Sequence, residues 1–143
     1  MATRTEFLKQ LGVIVAGGCV LSMSALLESC GSTAVNYKIQ DKKIMIPVAE
    51  FEARKKPLLV IREDVLPGPV LLTKDENGSY HSVLMICTHK GCELDLAGNQ
   101  LLCPCHGSQF SSQGVVISPP ANENLFSYPV EVSESTITIS IQS

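Results

Sequence analysis

Hydrophobic and polar residues alternate with a period of two through much of the chain after residue 43. The clearest alternations are at Ile44, Ile46 and Val48 near the start, and at Val130, Val132, Ile137, Ile139 and Ile141 near the end. This period is typical of β-strands that bury one face. No convincing helical period follows residue 31. We therefore predict an all-β antiparallel domain.

Turn-forming residues separate the predicted strands. Pro67-Gly68-Pro69 follows the short apolar run Leu58-Leu59-Val60-Ile61 and breaks it. Asp75-Glu76-Asn77-Gly78 predicts a hairpin turn, and Ser133-Glu134-Ser135 predicts the turn of a closing hairpin. The chain is thus organised as consecutive antiparallel strands.

The N-terminus has the composition of a targeting segment. Arg4 and Lys9 precede a stretch without charge from Leu11 to Leu27, which fits a signal peptide or a short membrane anchor. Thr3 to Lys9 resembles a twin-arginine signal in which Thr5 replaces the second arginine. Either interpretation places the following domain on the extracytoplasmic, periplasmic side of the cell membrane, where an uncleaved anchor or a lipidated Cys30 would tether it.

A lipobox-like motif, Leu27-Glu28-Ser29-Cys30, closes the uncharged stretch. Cleavage before Cys30 would leave a diacylated cysteine, and two acyl chains anchor a protein stably. An uncleaved anchor helix remains the alternative. We predict a signal or anchor segment at residues 1–30, a polar linker at 31–42 and one folded domain at 43–143.

The length and net charge of the chain limit the number of domains and the classes of function it can have. A chain of 143 residues supports one domain, and a net charge of −3 gives no sign of nucleic-acid binding. No pair of a nucleophile and a base can be identified, so the chain alone is not expected to be an enzyme.

Two cysteine- and histidine-rich boxes carry the chemistry: Cys87-Thr88-His89-Lys90-Gly91-Cys92 and Cys103-Pro104-Cys105-His106-Gly107-Ser108. Two thiolates and two imidazoles suit a [2Fe–2S] cluster with both thiolates on one iron and both imidazoles on the other. Tetrahedral zinc is an alternative, although each box mixes Cys with His and leaves a second Cys unused. A plain disulfide framework with uninvolved histidines is a further alternative.

The boxes resemble those of the Rieske iron–sulfur proteins, C-x-H-x-G-C followed by C-P-C-H-G-S. A looser likeness extends to Pro129 through Gly114, Pro119, Pro120 and Ala121. The resemblance implies a small Rieske-type β-sandwich with one [2Fe–2S] cluster held by loops at one end. It also implies Cys87 and Cys103 on the inner iron, His89 and His106 on the outer iron, and a Cys92–Cys105 disulfide as in cytochrome bc-type members. An oxidising compartment agrees with that disulfide.

Residues inside and beside the two boxes bear on the reduction potential of the cluster and on the choice of redox partner. The resemblance implies that Ser108 donates a hydrogen bond to a bridging sulfide. Phe110 stands where high-potential members carry a tyrosine, which predicts a potential below that of the cytochrome bc-type proteins. Lys90 stands where many quinol-oxidising members have an apolar residue, and this favours a more polar or acidic partner. His81 lies mid-strand and is not expected to be a ligand.

Three functions follow from the resemblance, all based on one-electron transfer. The first is the electron-transfer subunit of a quinol-oxidising respiratory complex, with cytochrome b and a c-type haem protein as partners. The second is the small subunit of an exported oxidoreductase of the arsenite oxidase type, serving its catalytic subunit. The third, a ferredoxin for a Rieske oxygenase, is disfavoured by Cys92, Cys105 and the targeting segment.

Overall fold

The computed structural model describes residues 34–141. The predicted signal or anchor segment and the lipobox residue Cys30 lie outside the described residues. The described chain contains twelve strands and one short helix. In chain order they are β1 (Lys38–Gln40), β2 (Lys43–Pro47), α1 (Val48–Glu52), β3 (Leu58–Ile61), β4 (Val70–Lys74), β5 (Tyr80–Leu84), β6 (Asp95–Ala97), β7 (Gln100–Leu102), β8 (Gln109–Ser111), β9 (Val116–Ser118), β10 (Ser127–Tyr128), β11 (Val130–Val132) and β12 (Thr136–Ser140).

The strands form three four-stranded sheets in which every pairing is antiparallel. The first sheet has the order β1-β2-β12-β11, the second β10-β5-β4-β3 and the third β6-β7-β8-β9. The predicted all-β antiparallel architecture is therefore confirmed. The third sheet is built from the segments that flank the two boxes.

Two hydrophobic cores share strand β4, which is buried along most of its length. Val70 and Leu72 belong to the first core, whereas Leu71 between them belongs to the second. This follows from the strand period, because successive side chains point to opposite faces. The first core contains the isoleucines of β2 and β12, and the second contains Leu94, Leu101 and Phe110 of the box region.

Both predicted hairpins are confirmed. Strands β11 and β12 pair around residues 133–135, with Val130 opposite Ile139. Strands β4 and β5 pair around residues 75–78, where Asp75 Oδ1 accepts hydrogen bonds from the backbone N–H groups of Asn77 and Ser79 at 3.0 and 2.8 Å. A side chain that binds the backbone of its own turn is the reason Asp favours such positions.

The segment predicted as a linker, 31–42, contains the first strand of the structure. Strand β1 pairs with β2, with Lys38 opposite Met45, so the sheet begins before residue 43. The connecting residues Asp41 and Lys42 both have positive φ, 51° and 57°, as two-residue hairpin turns with left-handed backbone require. The polar composition of this hairpin made it look like a linker.

The prediction that no convincing helix follows residue 31 is confirmed for the described residues, apart from one short helix. Helix α1 starts at Val48, which the alternating pattern had assigned to a strand. It is only one turn long, and it buries Phe51 completely in the first core. A single turn is too short to produce a helical period in the sequence. In residues 34–141 no helix has the length and apolar character needed to span a membrane.

Candidate metal centre

The two boxes form two loops with the same backbone hydrogen bonds. In the first loop Cys87 N–H donates to Cys92 O at 2.8 Å, and Gly91 N–H donates to Cys87 O at 2.8 Å. In the second loop Cys103 N–H donates to Ser108 O at 2.8 Å, and Gly107 N–H donates to Cys103 O at 3.0 Å. The fold therefore presents Cys87 and Cys103 from equivalent positions.

Strands hold the ends of both loops. The first loop is closed by an isolated bridge between Ile86 and Glu93, and an ion pair from Arg62 to Glu93 ties its far side to the residues after β3. The second loop connects β7 to β8, where Leu102 lies opposite Gln109. The residues at the two ends of each loop are thus paired with each other as in a β-sheet.

The cysteines that the sequence assigned to the inner iron are both buried free thiols. Cys87 is 2% and Cys103 is 3% exposed, and both belong to the second core. The Cys87 sulfur interacts with the side chains of Cys103 and Ser108. The structure therefore brings these two thiols together at the apolar end of the site.

Two opposing influences act on the Cys87 thiol. Burial raises its pKa, while hydrogen bonds from the His89 backbone, the Cys103 and Ser108 side chains and the Lys90 backbone lower it. The net effect is a pKa below the ordinary value for cysteine. This environment favours the thiolate, which is the form that binds a metal.

The two histidines of the boxes face each other. The ring centroids of His89 and His106 are 4.9 Å apart, and the ring planes are nearly perpendicular at 88°. His106 is exposed and His89 is half-buried. The Nδ1 atom of His89 is buried and has no hydrogen-bond partner in the part of the chain that the structure describes. A buried polar atom without a partner calls for an explanation, and a metal ligated at that nitrogen would supply one.

A disulfide joins the loops through Cys92 and Cys105, as the resemblance implies. The Sγ atoms of Cys92, Cys103 and Cys105 all lie within 4.8 Å of one another. These three sulfurs do not form a metal site of their own, because two of them are bonded to each other. Cys103 remains as the available thiol.

Ser108 is completely buried between the second loop and the segment that follows β9. Its Oγ accepts a hydrogen bond from the Ala121 backbone N–H at 3.0 Å. The hydroxyl proton therefore remains available, and it acts on the Cys87 sulfur. The assignment of this donor to a bridging sulfide, which the resemblance implies, stays a prediction.

The segment around Ala121 also contacts the first loop, which sequence reasoning missed. Thr88 Oγ1 donates to the backbone carbonyl of Glu123 at 2.7 Å. Residues 121–123 therefore bind one residue from each box. The signal available in the sequence was the Pro119-Pro120-Ala121 likeness, but it gave no contact to Thr88.

The remaining candidate residues occupy distinct positions. Phe110 is completely buried in β8, opposite Leu101, in the core that contains both thiols. Lys90 is exposed, and no salt bridge within residues 34–141 involves it. The Nε2 atom of His81 is 3.0 Å from Asp75 Oδ2 at the β4–β5 turn, and His81 lies in β5, outside both boxes.

Comparison with known proteins identifies the family. The Rieske [2Fe-2S] domain matches residues 41–129, which is more than half of the chain. The chain therefore belongs to the Rieske [2Fe-2S] domain family, and its cofactor is one [2Fe–2S] cluster.

The curated relatives that match are iron-sulfur subunits of cytochrome b6-f complexes. The cytochrome b6-f complex iron-sulfur subunit of Chlorobaculum tepidum is 36% identical over 73 residues, which cover 50% of this chain and 40% of the relative. The cytochrome b6-f complex iron-sulfur subunit 2 of Nostoc sp. is 32% identical over 99 residues, covering 66% of this chain and 56% of the relative. The matched region thus spans less than two thirds of either relative.

Solved structures show the same fold. The plasma membrane Rieske protein PetC3 from the cyanobacterium Synechocystis PCC 6803 superposes with a TM-score of 0.53 at 29% identity, covering 65% of this chain and 93% of that chain. A chain in the complex of oxygenase and ferredoxin of carbazole 1,9a-dioxygenase also superposes with a TM-score of 0.53, at 19% identity. It covers 71% of this chain and 94% of its own, and its likeness concerns the fold alone. The predicted Rieske fold is confirmed.

The residues present fit the cluster. Two buried thiols share one core, two imidazoles face each other, and one buried imidazole nitrogen has no hydrogen-bond partner among residues 34–141. Softer sulfur donors at one end and imidazoles at the other match a cluster with two different irons. The family match decides against zinc, because a zinc ion could use the same two thiols and two imidazoles.

Proposed function

We propose that this protein transfers one electron at a time through a [2Fe–2S] cluster held by Cys87, Cys103, His89 and His106. The observation that supports this most directly is the pair of equivalent loops, each offering one cysteine and one histidine, with His89 Nδ1 buried and unpartnered. When bound, the cluster supplies a one-electron couple whose potential is raised by imidazole ligation relative to an all-cysteine cluster.

The burial of the site residues indicates on which side of the cluster an electron enters or leaves. Cys87 and Cys103 are buried in the second core, whereas the His106 ring is exposed. An electron therefore enters or leaves on the histidine side, because that side lies nearest to a docked partner.

Ser108 and Phe110 set the potential in this proposal. The Ser108 hydroxyl withdraws charge from the Cys87 sulfur through its hydrogen bond, which favours the reduced cluster. Phe110 lies in the same core but brings no donor. The potential is accordingly below that of cytochrome bc-type members and above that of plant-type ferredoxins.

The physiological setting we propose is a quinol-oxidising respiratory complex. The cytochrome b6-f subunits that the chain resembles support this setting. In this setting the domain takes an electron from quinol and passes it to a c-type haem. The N-terminal segment, through an uncleaved anchor or lipidated Cys30, tethers the domain to the extracytoplasmic face of the cell membrane.

A second candidate is the small subunit of an exported oxidoreductase of the arsenite oxidase type. The exposed, unpaired Lys90 beside His89 favours it, because a lysine is costly to bury in an apolar docking pocket. In this setting electrons arrive from a catalytic subunit rather than from quinol.

A redox titration followed by electron paramagnetic resonance tests these proposals. A cluster spectrum that changes when a quinone analogue is added supports the quinol-oxidising complex, and a spectrum that does not change supports the second candidate. His89→Ala and His106→Ala should each abolish the spectrum. His81→Ala is the matched control and should retain it, because His81 contacts Asp75 rather than the boxes. A spectrum that survives in the first two variants would contradict the proposed ligand set.

A further inference from the structure

The Cys103 sulfur lies beside the disulfide that connects the two loops. Its Sγ is within 4.8 Å of both Cys92 Sγ and Cys105 Sγ, and Cys103 itself is a buried free thiol. A thiol and a disulfide held this close are the two reactants of thiol–disulfide exchange. Cys87, the other buried free thiol, is not part of this group of three sulfurs.

We infer that Cys103 exchanges with the Cys92–Cys105 disulfide whenever the cluster is absent, and that ligation of Cys103 to iron keeps the disulfide in its place. The second half of this inference rests on the proposed role of Cys103 as a ligand. The first half concerns only the sulfur atoms of the empty chain.

The exchange is balanced and needs no oxidant. The Cys103 thiolate attacks Sγ of Cys92, the Cys92–Cys103 bond forms and the Cys92–Cys105 bond breaks. The leaving sulfur is Cys105, which takes up a proton to replace the one lost by Cys103. The chain has one disulfide and the same number of thiols before and after.

Attack at Cys92 is the favoured direction. A Cys92–Cys103 bond still joins the two loops, whereas attack at Cys105 would close a small ring over Pro104, whose φ is fixed. The product differs from the starting chain in accessibility. Cys103 is buried and Cys105 is exposed, so exchange moves the free thiol from the core to the surface.

Exchange would block the site. A Cys103 that is bonded to Cys92 can no longer supply a thiolate to iron, so an empty chain would lose one of its two sulfur donors. A chain that has lost its cluster could take up a new one directly only before exchange occurs. After exchange, the Cys92–Cys103 disulfide would have to be reduced before the cluster could be rebuilt. The cluster and the disulfide are in this sense mutually protective.

Peptide mapping in the full chain tests the inference. Cys19→Ser and Cys30→Ser leave the four box cysteines as the only ones in the sequence. The loaded protein is depleted of iron with a chelator under anaerobic conditions at neutral pH, and thiols are blocked with N-ethylmaleimide at intervals. Tandem mass spectrometry then locates the disulfide and the blocked residues. Anaerobic conditions matter, because air could create a new disulfide instead of moving the existing one.

The expected result is a shift of the N-ethylmaleimide label from Cys103 to Cys105 and the appearance of Cys92–Cys103 peptides over minutes to hours. Reconstitution with Fe²⁺ and sulfide should then restore the visible absorption of the cluster only after treatment with a thiol reductant. A chain that retains Cys92–Cys105, with the label on Cys103 throughout, would overturn the inference.

Two matched variants show which of the two buried thiols takes part in the exchange. Cys87→Ser should still show Cys103 in the disulfide, because the three clustered sulfurs remain. Cys103→Ser should retain only Cys92–Cys105, and the same migration in this variant would overturn the inference. A chain that never takes up a cluster would overturn the proposed function, while mapping of that empty chain would still decide whether exchange occurs.

Discussion

Gly91 and Gly107 occupy equivalent positions in the two box loops, each four residues after the first cysteine of its box. Each donates its backbone N–H to the carbonyl of the cysteine four residues earlier, at 2.8 and 3.0 Å, and each has a positive φ, 75° and 79°. The histidines stand at different steps of the loops, at position 89 after Cys87 and at position 106 after Cys103. The repeated element is therefore the backbone that presents the cysteine, and the glycine makes that backbone possible.

Alanine at either glycine should lower the free energy of unfolding by about 1–2 kcal/mol, because a left-handed backbone is costly for residues with a Cβ. An added Cβ would meet no atom within 4 Å at Gly91 or Gly107, so the cost comes from the backbone alone. Urea denaturation measures it, and asparagine at the same positions should cost less. Gly114→Ala should cost more, because its Cβ would lie 2.9 Å from Val83 Cγ1. Alanine variants as stable as the parent would contradict this account.

Ser108→Ala should lower the reduction potential. The hydroxyl that acts on the Cys87 sulfur is lost, and a hydrogen bond worth about 1 kcal/mol corresponds to about 40 mV for a one-electron couple. The Ala121 N–H also loses its acceptor, so stability should fall by about 1–3 kcal/mol. Redox titration and urea denaturation measure the two effects separately.

Ser82→Ala is the matched control for Ser108→Ala. Ser82 is also a buried serine, but it lies in β5 and its Oγ has no hydrogen-bond partner in residues 34–141. Its removal should leave the potential unchanged and cost little stability. An equal shift of potential in both variants would show that Ser108 acts through general packing rather than through the sulfur.

The sequence predicts the site better than it predicts the contacts around it. The boxes and the hairpins at 75–78 and 133–135 depend on residue types at short spacing, so they can be recognised locally. Strand β1 and helix α1 could not be predicted, because a polar two-residue turn and a single helical turn leave no periodic signal. The Ser108–Ala121 and Thr88–Glu123 hydrogen bonds join residues 13 and 35 positions apart, and only the folded chain reveals them.

Phe110→Tyr should raise the reduction potential by about 40 mV if the new hydroxyl donates about 1 kcal/mol of hydrogen bonding to a ligand cysteine sulfur. Phe110 is completely buried in the same core as Cys87 and Cys103. Phe51→Tyr is the matched control, since Phe51 is equally buried but lies in the first core. It should lower stability without changing the potential. An unchanged or lower midpoint in Phe110→Tyr would contradict the assigned role.

Cys92→Ser and Cys105→Ser should shorten the lifetime of the bound cluster and shift its potential. The disulfide joins the two loops, and a cluster bound by the proposed ligands would join the same loops. The loss of unfolding free energy in the loaded protein should therefore be well below the roughly 3 kcal/mol of a free loop of this length. Cluster absorbance against time and redox titration provide the measurements. Parental values for both lifetime and potential would show that the disulfide has no part in fixing the loops.

Lys90→Glu should slow electron transfer to an acidic acceptor protein and reverse the salt dependence of that rate. Lys90 is exposed next to His89, and no salt bridge in the described residues neutralises it, so its charge acts directly on an approaching partner. Charges at the edge of an interface change mainly the association rate. Stopped-flow kinetics at several ionic strengths measure the effect.

Lys55→Glu is the control with the same charge change, because Lys55 is also exposed but follows helix α1, outside the boxes. If both variants slow the reaction equally, net charge controls docking and Lys90 has no special role; if Lys90→Glu speeds the reaction, the partner's docking surface is basic.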